Sequence, residues 1–217
     1  MQKTQLIRIL TVMVLTIGLA NGSSAGWVED AIAENKAGNH AALLKIFRKA
    51  AEQGVAQAQF NLGVMYERGR GMPIDYKEAV VWYRKAAEQG DAYAQYNLGV
   101  MYRRGKGVTQ NDQEVAKWYR KAAERGLAKA QFSLGYMYMK GEGVTRNYQE
   151  VVKWYRKAAE QGYAQAQFNL GIMYAAGRGV TQDEVQASKW WNLATINGHT
   201  DARKVLDILT FPPENTP

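Results

Sequence analysis

The chain has 217 residues, a formal net charge of +8, 22% charged and 47% hydrophobic residues, and no cysteine. Without cysteine, disulfides and a cysteine-linked lipid anchor are excluded, so stability has to come from packing alone. The basicity is moderate for the length; it suits acidic partners or an anionic surface and gives little ground for nucleic acid.

Lys3 and Arg8 precede an apolar run at residues 9–20, and a small-residue segment, "NGSSAG", follows at 21–26. This is the order of a cleaved secretory signal, and the apolar run falls well short of the ~20 residues that span a bilayer. Residues 1–25 are therefore read as a signal peptide with Gly26 as the mature start, which implies an exported protein, periplasmic or secreted, with no stable membrane anchor after cleavage. Losing Lys3 and Arg8 takes the formal charge from +8 to +6. What remains holds abundant Ala, Leu, Gln, Glu, Lys and Arg, a composition that favours helix.

Residues 26–54 read as N-terminal capping helices: a short helix near residues 27–37, then "NHAALLKIFRKAAEQG" at 39–54. Beyond them the chain repeats. "WYRKAAEQG" at 82–90 returns as "WYRKAAERG" at 118–126, again as "WYRKAAEQG" at 154–162, and in degraded form as "WWNLATING" at 190–198, a period of 36 residues. "QAQFNLGVMY" at 57–66 recurs on the same period. Four units result, 55–90, 91–126, 127–162 and 163–198.

Each unit reads as two helices. In the first, Ala58, Leu62 and Tyr66 fall at i, i+4 and i+8 and make one buried stripe. Gly69 supplies a left-handed stop. Asp75 stands three residues before Glu78, a capping-box pattern repeated by Asn111 with Glu114 and Asn147 with Glu150, and varied in Asp183 with Gln186. The second helix carries Ala79, Trp82, Tyr83, Ala86 and Ala87 and ends at Gly90. Gly63, Gly99, Gly135 and Gly171 sit mid-helix, where glycine costs about 1 kcal/mol against alanine; their repetition predicts a close helix crossing. The paired glycines Gly69/Gly71, Gly105/Gly107, Gly141/Gly143 and Gly177/Gly179 resemble a phosphate loop singly. Such a loop is needed once and follows a strand, so four copies without a strand pattern mark a corner of the chain.

After the last unit, "TDARKVLDILT" aligns with a first helix, with Asp207 at the mid-helix glycine position, and residues 199–210 read as a C-terminal capping helix. Residues 211–217 form a tail. Capped stacks of this kind are what solenoids require. The fold class is all-α, an α-α solenoid of four 36-residue helix-turn-helix repeats with helical caps.

The series Ala58, Leu62, Gly63, Tyr66, Gly69, Gly71, Asp75, Ala79, Trp82, Tyr83, Ala86, Ala87 and Gly90 resembles the Sel-one-like (Sel1-like) repeat, a helical relative of the tetratricopeptide repeat. Met72 and Pro73 in the first loop and Trp191, Asn192, Leu193 and Thr195 in the last unit depart from it. The resemblance implies a non-catalytic interaction scaffold whose first helices line a concave face. It leaves two alternatives, an envelope enzyme or cell-wall-active factor of hydrolase-like kind and a secreted host-interaction factor.

Residues for catalysis are scarce. His40 and His199 stand in opposite caps, and no His and carboxylate cluster has metal-ligand spacing. No cofactor or metal is implied. Glu88, Glu124 and Glu160 recur behind the Arg-Lys pairs and are expected to form solvated ion pairs with them; the column of Arg84 and Lys85 reads as a solvated convex face. The candidate binding residues form columns on the first helices: Phe60, Tyr96, Phe132 and Phe168; Asn61, Asn97 and Asn169, with Ser133 in the third unit; Tyr136 beside Val64, Val100 and Ile172; and Arg68, Arg104 and Lys140 at the helix ends. Amides and rings suit an extended protein or peptide segment, and the cations suit acidic groups on it. The rings have a second reading, as packing between neighbouring first helices.

Overall fold

A computed structural model describes residues 26–210, with side chains described as far as residue 208. The signal-peptide reading of residues 1–25 and the tail at 211–217 lie outside the described residues. The helices are α1 (Gly26–Ala37), α2 (His40–Glu52), α3 (Ala56–Arg68), α4 (Tyr76–Glu88), α5 (Ala92–Arg104), α6 (Asp112–Glu124), α7 (Ala128–Lys140), α8 (Tyr148–Glu160), α9 (Ala164–Ala175), α10 (Glu184–Ile196) and α11 (Thr200–Thr210). Among the described residues there is no strand. The chain divides into two compact units, residues 1–89 with α1–α4 and residues 90–217 with α5–α11. Within each unit every helix contacts the next in sequence, the nearest-neighbour stacking of an α-α solenoid.

The second helices begin at side-chain caps. Asp75 accepts from the backbone N–H of Lys77 and Glu78, Asn111 from Glu114, Asn147 from Gln149 and Glu150, and Asp183 from Gln186. Only this half of the expected capping box forms. The N–H of Asn147 donates to the carbonyl of Tyr138, and that of Asp183 to Tyr174. Glu150, the acid meant to reach back, instead accepts from Trp154 Nε1 at 2.9 Å and Lys153 Nζ at 2.9 Å. The loop already satisfies the cap's donor through the preceding helix, which frees the acid for its own next turn.

α3, α5 and α7 end on Gly69, Gly105 and Gly141, with φ of 65°, 62° and 77°. The second glycines Gly71, Gly143 and Gly179 explain the corner. A Cβ on Gly71 would lie 2.7 Å from the carbonyl oxygen of His40, the first residue of α2. Gly143 and Gly179 sit tighter still against the carbonyls of Asp112 and Tyr148, which begin α6 and α8. The loop therefore docks on the N-terminus of the preceding second helix, and the glycines are what permit the approach.

The core packs first helices on the second helix that precedes them: Ala58 and Leu62 with Leu43 and Phe47 of α2, Ala130 and Leu134 with Val115 and Tyr119 of α6, and Ala166 and Leu170 with Val151 and Tyr155 of α8. Ala58, Leu62, Ala94, Leu98, Ala130, Leu134, Ala166 and Leu170 are all fully buried, as are Tyr83 and Tyr155. The mid-helix glycines face those tyrosine rings: a Cβ on Gly63, Gly99 or Gly135 would stand 2.6–2.7 Å from the ring of Tyr83, Tyr119 or Tyr155. In the last repeat the indole of Trp191 fills the same place beside Gly171, and its Nε1–H donates to the Phe168 carbonyl at 3.2 Å.

A polar element runs through this core. Gln59, Gln95, Gln131 and Gln167 are only 3–5% exposed. Gln131 Nε2 donates to the Ala123 carbonyl at the end of α6, and its Oε1 accepts from Gln161 Nε2 at 2.7 Å. Gln59 does the same with Ala51 and Gln89, and Gln167 with Ala159 and Asn197. Gln59, Gln131 and Gln167 each tie the preceding second helix to their own repeat, which satisfies them and fixes the stacking, whereas the buried Oε1 of Gln95 accepts no hydrogen bond among the described residues.

Candidate partner-binding face

The first helices α3, α5, α7 and α9 carry every residue singled out for binding, and their second helices decide how those residues are held. Phe60 is buried with its ring 5.9 Å from Tyr83. Tyr96 stacks on Tyr119 at 5.0 Å and Phe132 on Tyr155 at 5.4 Å; both are half-buried. Phe168, also half-buried, stacks at 4.2 Å on His199. His199 is fixed by two bonds: Nδ1 accepts from the Ala202 N–H, which leaves Nε2 to donate to Gln165 Oε1. The rings are thus engaged within the protein, and Phe132 also meets Tyr163 at 5.3 Å while Lys129 Nζ lies 5.1 Å from the Tyr96 ring centre.

The amides are half-buried. Asn61 Oδ1 accepts from Gln57 Nε2 at 3.5 Å and Asn169 Oδ1 from Gln165 at 3.4 Å. Asn169 also hydrogen-bonds the Tyr155 hydroxyl, partly offsetting a pKa that burial pushes up to about 12. Tyr119 is raised further by burial, with Tyr96 adding to the effect and Arg103 opposing it through a hydrogen bond and its charge. Arg68, Arg104 and Lys140 are exposed, with Lys140 Nζ 5.8 Å from the Tyr136 ring centre. Ile172 on α9 is 41% exposed.

The charge on these helices is one-sided. In the second unit α5, α7 and α9 carry Arg103, Arg104, Lys129 and Lys140 and not one Asp or Glu. In the first unit α3 carries Glu67, which accepts from the Tyr83 hydroxyl at 2.6 Å, next to Arg68. Among the described residues no group of three His, Cys, Asp or Glu could hold a metal ion, and no helix is long and apolar enough to cross a membrane.

The other face departs from the sequence expectation. Its arginines are not simply solvated: Arg48, Arg120 and Arg156 donate to the hydroxyls of Tyr66, Tyr138 and Tyr174 at 3.1, 2.8 and 2.7 Å. The expected partners Glu88, Glu124 and Glu160 form no ion pair among the described residues; the second-helix pairs are Lys117–Glu114 and Lys153–Glu150, both at 2.9 Å. The arginines are drawn onto the following first helix, and acids in the first helical turn have the favourable end of the dipole. The buried glutamines and these Arg–Tyr bonds are the ordered polar contacts that helical periodicity overlooks, because a polar residue inside a helix reads as surface. Their signal is that each recurs at one position of the repeat.

The Sel1 repeat family matches at residues 44–55, 56–91, 92–127, 128–163 and 164–199. The chain belongs to the Sel1-repeat family. Proteins of this kind are helical scaffolds that usually mediate protein–protein interaction. The fold is similar to a Sel1 repeat protein from Oxalobacter formigenes (37% identity, TM-score 0.77, 84% of this chain and 73% of that one). It is also similar to a protective antigen present in uropathogenic Escherichia coli strains (41% identity, TM-score 0.76), with 78% of this chain aligned to 36% of that protein. A shorter likeness, 44% over 46 residues, is to DAP3-binding cell death enhancer 1 of Rattus norvegicus; it takes in 21% of this chain and 9% of the rat protein. The Sel1 matches begin one residue after the unit boundaries read from the period, and the 44–55 match falls on α2 and the turn after it.

Proposed function

We propose that this Sel1-repeat protein is an exported, non-catalytic scaffold that holds an extended acidic segment of a protein or peptide partner on its first helices. The observation that carries this reading is the charge asymmetry of α5, α7 and α9, with four cations and no acid. Beside the cations lie Asn97 and Asn169 to bond a peptide backbone, and Tyr96, Phe132, Phe168, Tyr136 and Ile172 to cover its side chains. On α3 of the first unit, exposed Arg68 offers the same charge, while Phe60 and the Asn61 Nδ2 are buried. Export rests on the signal pattern at residues 1–25, and a protective antigen among similar structures is in keeping with it.

The test is affinity capture from envelope extracts with the wild-type protein and with the triple variant Arg68→Glu, Arg104→Glu, Lys140→Glu. The wild type should retain partners that elute with rising salt and are missing from the triple-variant eluate. Recovery of the same proteins by both overturns the reading. Amino-terminal sequencing of the protein from the same fraction should begin at Gly26; an intact Met1 there would refute cleavage.

A further inference from the structure

We infer that the first unit carries a second, separate site: a pocket on α2 that takes the phosphate group of a small hydroxylated ester such as a glycerophosphate. An open cavity of about 370 Å³ lies along α2, lined by Ala41, Leu44 and, from the following loop, Gly71. Lys45, Arg48 and Lys49 rim it, on successive turns of one helix face.

Comparison with the protein's own repeats distinguishes this rim from ordinary surface basicity. The same triplet recurs as Lys117, Arg120 and Lys121 on α6 and as Lys153, Arg156 and Lys157 on α8. There it is engaged. Glu114 and Glu150 pair with the first lysine at 2.9 Å. Trp118 and Trp154 lie beneath the second lysine, 4.7 and 5.0 Å from ring centre to Nζ. On α2 the acid's position is Ala42 and the indole's is Ile46. Both partners are gone together, so Lys45 and Lys49 have neither an acid nor a ring among the described residues. Arg48 keeps its tyrosine, with Nη2 donating to Tyr66 at 3.1 Å, which orients the guanidinium and leaves its other N–H groups to donate.

Two ammonium groups without an ion pair and an oriented guanidinium lining one small cavity match a phosphate's charge and its several acceptor oxygens. Glu52, which lines the same pocket one turn beyond Lys49, selects against a second anionic group and accepts from hydroxyls. A polyol phosphate fits both ends. The same chemistry is offered by a soluble glycerol phosphate and by a phosphatidylglycerol headgroup.

The experiment uses the full chain and two charge-matched double variants, Lys45→Gln/Lys49→Gln on α2 and Lys121→Gln/Lys157→Gln on α6 and α8. Binding of sn-glycerol 3-phosphate is followed by phosphorus NMR and calorimetry, with acetate at equal ionic strength as the reference. Binding to vesicles of phosphatidylglycerol in phosphatidylcholine is followed by co-sedimentation. The α2 variant should lose at least about tenfold in affinity and the other variant less than about twofold, with acetate unable to compete. Binding to vesicles alone, still lost in the α2 variant, identifies the headgroup as the source; binding of the soluble ester identifies the free compound. Equal weakening in both variants, competition by acetate, or no binding in either arm overturns the assignment. All four lysines are exposed, so unchanged melting curves will show that the variants are folded.

Discussion

Gly99 lies against the ring of Tyr119 so closely that a Cβ on the glycine would stand 2.6 Å from the tyrosine Cδ1. Tyr119 is 1% exposed and has nowhere to withdraw. Replacement by Ala adds about 1 kcal/mol of helix propensity, but overpacking a full core costs about 1–3 kcal/mol, and the clash should win. Gly99→Ala is expected to lower the melting temperature and Gly99→Leu to lower it much further. A calorimetric scan in which Gly99→Leu melts like wild type would refute the close crossing.

Gln131 is 4% exposed and bonded on both sides of its amide, to Ala123 and to Gln161. Gln131→Leu fits the volume but removes two hydrogen bonds, one to the Ala123 carbonyl, which keeps the Gly126 N–H, and one from the Gln161 amide, at about 1 kcal/mol each. Gln161→Leu leaves the buried Gln131 Oε1 without its donor and should cost about 1–3 kcal/mol. The two losses should be non-additive, measured by urea denaturation of the singles and the double. Strict additivity would mean that the amides do not act as one link.

Asp91 caps α5 through the Ala94 N–H at 2.7 Å, yet burial raises its pKa above the ordinary carboxylate value, outweighing the lowering by hydrogen bonds from Ala94 and Tyr93. A raised folded-state pKa means that the folded protein holds this proton more tightly than the unfolded chain. The contribution is fully present below the unfolded value and is lost as pH rises through the folded one. Asn caps as well as Asp without a charge. Asp91→Asn is therefore expected to raise the melting temperature at pH 7 and to lose that advantage below about pH 4, near the unfolded aspartate pKa. A benefit independent of pH would point elsewhere.

Tyr155, raised to about 12, and Tyr119, raised further, are both shifted chiefly by burial. Above the unfolded tyrosine pKa of about 10 the unfolded chain ionises first, so stability should fall as pH climbs beyond that point. Tyr119→Phe and Tyr155→Phe should each flatten the alkaline limb of a melting-temperature profile while costing some stability at neutral pH. An alkaline limb as steep in the double variant as in wild type would assign the effect to other groups.

Much of the proposed face was legible as positions but not as contacts. Phe60, Tyr96, Phe132 and Phe168 stand where the period puts them, yet Phe60 is buried on Tyr83 and Phe168 rests on a histidine from the following cap. The arginine column looked solvated because its partners, Tyr66, Tyr138 and Tyr174, lie 18 residues downstream on the next first helix. The bare basic rim on α2 is the converse case. Ala42 and Ile46 are unremarkable in sequence, and their meaning appears only when Glu114 and Trp118 show what the same positions do elsewhere.

The chain by itself determined the period, the helix class, and the stops and starts at Gly69 or Asp75, because these are settled by backbone conformation and bonds spanning only a few residues. The stacked structure decided which polar groups are buried, which arginines bind tyrosines and which lysines are left over. Those outcomes join positions 18 or 30 residues apart, as in Arg156–Tyr174 and Gln131–Gln161, and no local preference encodes a partner at that distance; it is chosen by how one helix pair lies on the next.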